Sequence, residues 1–319
     1  MRFVTFDSNG KQLPGLITND QKVVDLQKAF SSAQEQGSVD RGLAVPLSVL
    51  DVVCGGDPVQ QACATIAQDA NAGKFESLCI PAAEAALLAP IPRPLKNVFC
   101  VGSNYRAHVT EASRAQKKEN KIPEHPVFFT KPPTSVVGPG GTIRLDTRIS
   151  EKMDYEVELG VVIGKPGRDI PEAEAINHIF GFTIINDITA RDVQRRHGGQ
   201  FLKGKGLDSS CPMGPQIVTL DELPNFENLR ISLKVNDEMR QDGNTDSMIF
   251  PIARLMESLS EGMTLEPGDL LATGTPSGVG YAMDPPNFLK DGDKVTCEIE
   301  GIGQLENTVR DVSSEAYAA

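Results

Sequence analysis

From Asn97 onward the chain is a succession of short apolar runs cut apart by glycine and proline. This pattern constrains the fold more than any other feature. NVFCV (97–101), PVFFT (126–130), Tyr155–Ile163, Ile179–Ile185, Ile231–Val235, Asp269–Thr273 and Lys294–Ile299 each have strand length and strand composition. Gly138-Pro139-Gly140-Gly141, Pro267-Gly268 and Gly274 fall between them as breakers. Helical periodicity is rarer, at about 104–119, 189–196 and 248–259. Many strands with few helices predict an α+β, β-rich fold, a barrel or roll rather than regular βαβ alternation.

The first segment reads differently. Arg2–Phe6 and Gln12–Ile17 alternate around Ser8-Asn9-Gly10, an Asn-Gly hairpin signal, and Val23–Leu26 can add a third strand. Two helical runs follow, near 26–36 and 58–72, and then prolines at 81, 90, 92 and 94. A boundary near residue 90 is expected, with a small N-terminal αβ domain over 1–90 and a larger domain over 91–319.

Charge and composition narrow the function classes. Among 319 residues, 31 Lys+Arg face 43 Asp+Glu, a net charge of −12. Such a chain lacks the basic face that phosphate backbones or anionic lipid require, so neither nucleic acid nor membrane is expected as a partner. No apolar run approaches a membrane span and no secretory h-region opens the chain, so a cytoplasmic protein is expected. The six cysteines are scattered without a C-x-x-C, which suits reduced thiols.

Nucleotide-binding glycine motifs, a G-x-S-x-G elbow and H-E-x-x-H are all absent. The four histidines lie far apart, so a metal here would be held by oxygen. The best oxygen cluster is Asp154-Tyr155-Glu156-Val157-Glu158. On a strand, Glu156 and Glu158 share a face about 7 Å apart, and Asp154 would share it too. Acid alternating with apolar residues also describes an ordinary wet strand face. However, the strand runs on into Gly160-Val161-Val162-Ile163, which suggests burial, and like charges there need a cation. Asp187, at the end of the apolar run 179–186, is a candidate third ligand, or else a turn residue beside a helix cap. Three oxygen ligands suit Mg²⁺ or Mn²⁺, with Ca²⁺ as a substitute. His108 and Glu111, three apart on a helical pattern, can form a base with its orienting carboxylate, or an exposed ion pair. The lysine-bearing loop 203–208 can stabilise an oxyanion, and the loop 273–280 offers backbone amides to a carboxylate. Either can equally be turn chemistry.

Taken together these segments form the series G-x-N-Y-x-x-H-x-x-E, E-x-E, N-D-x-[ST]-A-R-D-x-Q, K-x-x-D-x-x-C-P-x-G-P and T-G-T-P-x-G-V-G. In this order, over about 97–303, the series resembles the fumarylacetoacetate hydrolase family. The stretch Pro285–Asp293 resembles the branch that contains fumarylacetoacetate hydrolase domain-containing protein 2. The resemblance implies a β-roll catalytic domain, a homodimer and a bound Mg²⁺ or Mn²⁺. By position, Glu156, Glu158 and Asp187 match metal ligands, and His108 and Glu111 a water-activating pair on a lid. Lys205 matches an oxyanion-stabilising lysine, while Lys131, Arg191, Gln194 and Thr275 match the substrate pocket. The implied activity is metal-dependent hydrolysis of a C–C bond in a small β-dicarbonyl or 2-oxo acid. The alternative is decarboxylation or enol–keto isomerisation at the same metal site.

Overall fold

The computed structural model describes residues 1–316. The strands that carry the site are β1 (Val98–Gly102), β2 (Val127–Lys131), β3 (Val157–Ile163), β4 (Ile179–Asn186), β5 (Cys211–Thr219) and β6 (Leu270–Ala272). Two helices flank the site, α1 (Arg106–Gln116) and α2 (Arg191–Arg196). The large sheet runs in the order β5-β4-β3-β6-β1-β2. It does not stop at residue 90. Arg2–Ser8 pairs antiparallel with β5, and Lys11–Ile17, Lys22–Asp25 and Cys79–Pro81 extend the sheet beyond it. A second, five-stranded sheet comprises Thr142–Leu145, Arg230–Val235, Glu238–Asn244, Lys294–Ile299 and Gly303–Asp311.

Every residue of β3 and β4 is buried, because both faces of these central strands are covered. On one side Val157, Leu159 and Val161 pack with Ile231, Leu233, Cys297 and Leu305 of the second sheet. On the other, Val162, Phe180 and Ile185 pack with Leu26, Phe30 and Ile66 from the N-terminal helices. Each such aliphatic side chain contributes about 1.5–3 kcal/mol on burial. This two-sided cover explains the continuous apolar runs that stand out in the sequence.

The expected strands and helices are present, with ends moved by a few residues. Strand β5 is an addition. Its Pro212, Gly214 and Pro215 read as breakers, yet it lies between β4 and Arg2–Ser8. The register of β4 against β5 shifts between Phe182 and Ile184, and that irregularity absorbs Gly214 and Pro215. All six cysteines are free, and Cys54 is exposed. No helix among the described residues is long and apolar enough to cross a membrane.

Candidate metal centre and active site

The register of β3 against β4 brings the acidic residues together. Glu158 pairs with Ile185 and Val157 with Asn186, so Asp187 emerges beside Glu156, whose carbonyl accepts its backbone N–H at 2.8 Å. Glu156, Glu158 and Asp187 each offer a carboxylate oxygen, and these oxygens lie within 4.8 Å of one another. All three residues are buried.

Asp154 does not join them. The strand is interrupted at Tyr155-Glu156, and Asp154 lies on a separate two-residue ladder with Thr189. Its carboxylate accepts from Gly280 N (2.7 Å), Tyr281 N (3.1 Å) and Arg191 Nε (2.8 Å). Arg191 also donates Nη2 to Glu156 Oε1 at 2.6 Å, so its guanidinium joins Asp154 to the acidic cluster.

Two lysines complete the cluster. Lys205 donates to Glu156 Oε2 (2.7 Å), Asp187 Oδ2 (2.5 Å) and Thr189 Oγ1 (2.9 Å), which uses all three donors of the ammonium group. Lys131, expected at the pocket wall, lies behind it instead. It is fully buried and donates to Asp187 Oδ1 (2.7 Å), to the Ile188 carbonyl (3.1 Å) and to the Lys205 carbonyl. Its place at the end of β2 turns it toward Asp187 rather than the cavity. It therefore fixes a ligand and the backbone beneath Lys205.

Four carboxylates thus face three cations in a dry setting. Glu158 makes no ion pair among the described residues, and its Oε2 accepts only Gly274 N, at 2.8 Å. Burial, reinforced by the carboxylates of Asp187 and Glu156, pushes its carboxyl well above the usual range. Burial also pushes Glu156 upward, but Lys205 and Arg191 outweigh it and hold that carboxyl below the usual range. An uncompensated buried carboxylate beside two others, with oxygen donors only, fits a hard divalent cation. Glu156, Glu158 and Asp187 would hold it.

Across the cavity, α1 presents His108. Asn104, just before this helix, is fully buried and donates to the carbonyls of Phe250 (3.1 Å) and Thr273 (2.8 Å), which pins the start of the helix. One turn along, Glu111 Oε1 meets His108 Nδ1 at 2.9 Å, and Glu111 Oε2 accepts Gly278 N at 2.8 Å. The loop after β6 was expected to offer its amides to a carboxylate. It does so to three of the protein's own: Glu158 through Gly274, Glu111 through Gly278, and Asp154 through Gly280 and Tyr281.

His108, Glu156, Glu158, Arg191, Gln194, Lys205 and Thr275 line one cavity of about 370 Å³, a usual size for a small-molecule site. Glu111 and Asp187 stand behind this lining. Thr275 donates its hydroxyl to the Val157 carbonyl (2.8 Å) and accepts from Gln241 (2.8 Å), so it braces the base of β3. Sequence reasoning missed Asp154 as the anchor of Arg191, and it missed Gln241 and Tyr281. Only Asp154, one residue pair before E-x-E, left a signal.

The fold agrees with that of related proteins. The model of the Fumarylacetoacetate (FAA) hydrolase C-terminal family matches residues 97–310. Oxaloacetate tautomerase YisK of Bacillus subtilis (strain 168) is 43% identical over 311 residues, covering 97% of this chain and 100% of the relative. Among solved structures, Fumarylacetoacetate hydrolase (EaFAH) from the psychrophile Exiguobacterium antarcticum superposes with a TM-score of 0.78. It is 35% identical, over 98% of this chain and 99% of that one. Maleylpyruvate hydrolase from Sphingobium sp. SYK-6, solved in complex with manganese(II) ion and pyruvate, gives a TM-score of 0.72 at 26% identity, over 98% and 99% of the two chains. The α+β, β-rich fold that the motifs implied is the fold observed, and its acidic triad fits a divalent metal site. The chain belongs to the fumarylacetoacetate hydrolase family and is one of its enzymes.

Proposed function

We propose that this enzyme is a divalent-metal-dependent keto–enol tautomerase of a small 2-oxo acid of the oxaloacetate type. This is the isomerase alternative rather than C–C bond hydrolysis. The end-to-end relation to an oxaloacetate tautomerase supports it. The observation that carries it is that relation, 43% identity over 97% of this chain and 100% of the relative, together with a cavity that gathers the acidic triad's Glu156 and Glu158 with His108. Tautomerisation needs an electron sink for the enolate and a group that moves one proton.

When bound, the metal supplies Lewis-acid polarisation of the oxygens of the 2-oxo acid. The chain supplies the rest. Glu111 accepts the Nδ1 proton of His108 and so leaves Nε2 as the exchanging atom, while Gly278 N holds Glu111 in place. Nε2 takes the enol hydroxyl proton, and the imidazolium so formed, stabilised by Glu111, delivers a proton to C3 to give the ketone. Arg191 and Lys205 hold Glu156 and Asp187 so that the three carboxylates stay convergent. No bond between carbons breaks, and substrate and product differ only in the position of one proton.

The test follows the decay of the oxaloacetate enol by ultraviolet absorbance with Mg²⁺ or Mn²⁺, with chromatography of the products. The expected result is acceleration above the metal-only rate, lost in His108→Ala, with neither CO₂ nor a cleaved acid formed at a matching rate. Stoichiometric fragmentation of an acylpyruvate, without acceleration of enol decay, would reinstate the hydrolase.

A further inference from the structure

We propose that Arg195 reads the substrate carboxylate that lies farthest from the acidic triad. The inference rests on the preceding reading in taking a dicarboxylic 2-oxo acid whose oxo-acid end sits at Glu156, Glu158 and Asp187.

The argument begins with α2. Arg191, Gln194 and Arg195 fall at i, i+3 and i+4, so they share one face of this short helix, and all three line the cavity. Their burial falls in that order: Arg191 is buried, Gln194 half-buried and Arg195 exposed. This face therefore runs from the floor of the cavity to its mouth. Its two guanidinium groups differ in state. Arg191 is neutralised by Asp154 and Glu156. Arg195 makes no ion pair and no hydrogen bond among the described residues. It lies over the ring of Tyr281, whose centroid is 5.7 Å from Arg195 Cζ and 4.3 Å from Arg191 Cζ. The aromatic ring is thus within cation–π range of both guanidinium groups. Lys118, at the same mouth, also has no ion pair among the described residues.

Two uncompensated cations at a cavity mouth are notable in a chain of net charge −12. A solvated helix face would not need them gathered at the one opening that leads to the triad. Their field draws anions to that opening. A guanidinium fork offers paired donors to a carboxylate, and one without a partner of its own keeps them for the ligand. The cavity of about 370 Å³ admits a short chain, with one carboxylate end at the triad and the other at Arg195. A monocarboxylic 2-oxo acid would leave Arg195 unengaged.

Binding of two unreactive acids separates this inference from the proposed reaction. Malate and lactate share a 2-hydroxy acid end, and only malate carries the second carboxylate. Titration calorimetry of each into the Mn²⁺-loaded protein is expected to show malate bound about tenfold more tightly, as befits one charge-assisted contact near solvent. Arg195→Gln should bring the ratio close to one, and Arg195→Lys should restore part of it. Three outcomes overturn the inference: equal affinities in the wild type, no malate binding at millimolar concentration, or an unchanged ratio in Arg195→Gln. If oxaloacetate is not tautomerised while the malate preference depends on Arg195, the reaction fails and the dicarboxylate site stands. If tautomerisation proceeds while Arg195→Gln keeps the preference, the site fails and the reaction stands.

Discussion

Glu158 is the carboxylate of the triad that makes no ion pair among the described residues. Its folded-state pKa is raised from 4.5, by burial first and then by Asp187 and Glu156. A raised carboxyl stabilises the fold below its unfolded pKa, and that stabilisation is lost as pH rises through the folded value. Without metal, the protein therefore carries a penalty at neutral pH that a divalent cation removes. Scanning calorimetry should show a larger gain in Tm from Mn²⁺ at pH 8 than at pH 5. Glu158→Gln should raise the metal-free Tm at pH 8 and abolish the Mn²⁺ gain. Equal gains in the wild type and the variant would remove Glu158 from the site. Asp154 makes the opposite case, since its charge is matched. Asp154→Asn leaves the buried Arg191 with Glu156 alone, and breaking one side of a buried pair costs about 3–5 kcal/mol. A Tm unchanged by that substitution would show that Arg191 does not depend on it. The sequence made Glu156 and Glu158 legible, because strand alternation is a local rule. It misplaced Asp154 and Lys131, because their partners lie 126 and 56 residues away and follow from tertiary register.

Among the elements, the loop after β6 does most to assemble the site, and Gly278 shows why its sequence is restricted. This residue has φ of +110°, and a Cβ there would lie 1.9 Å from the Arg240 carbonyl oxygen. A side chain must therefore push the loop from the neighbouring strand and carry away the N–H that holds Glu111. We expect Gly278→Ala to lower stability by about 1–3 kcal/mol through strain. It should also lower kcat about 10–100-fold by misaligning the His108–Glu111 pair. Mn²⁺ affinity, read by calorimetry, should persist because Gly278 touches none of the triad. Loss of metal binding in step with kcat would mean that the loop acts on the triad instead. The glycine spacing and a carboxylate cradle were readable from sequence, but not which carboxylates the cradle holds, since three chain segments converge on it. Strand β5 was hidden for a related reason. Local breakers announce a turn, and only the shifted register against β4 shows how a strand accommodates them.

At the scale of the whole molecule, the N-terminal ninety residues are joined to the rest through both hydrogen bonds and core. Arg2 and Phe3 pair with Val218 and Ile217 of β5. The Phe3 ring lies 5.5 Å from that of Phe180 on β4. Leu26, Phe30, Val52 and Ile66 share one core with Val162, Ile185 and Met213, directly behind the strands that carry Glu158 and Asp187. Prolines between 81 and 94 mark where chain texture changes, but composition alone does not reveal that the sheet continues across them. Without residues 1–90, the Ile217–Val218 end of β5 would lose its pairing and the apolar face beneath the triad would meet water. Each large side chain uncovered there forfeits about 1.5–3 kcal/mol, against a total stability of only about 5–15 kcal/mol for a typical domain. The fragment 91–319, although it spans all the site residues, is therefore expected to aggregate or to melt without a cooperative transition. Its Mn²⁺-dependent stabilisation should vanish with the fold. A soluble fragment with a sharp calorimetric transition and intact Mn²⁺ binding would instead make residues 91–319 an independent domain, with the N-terminal strands an appendage to a sheet that is stable without them.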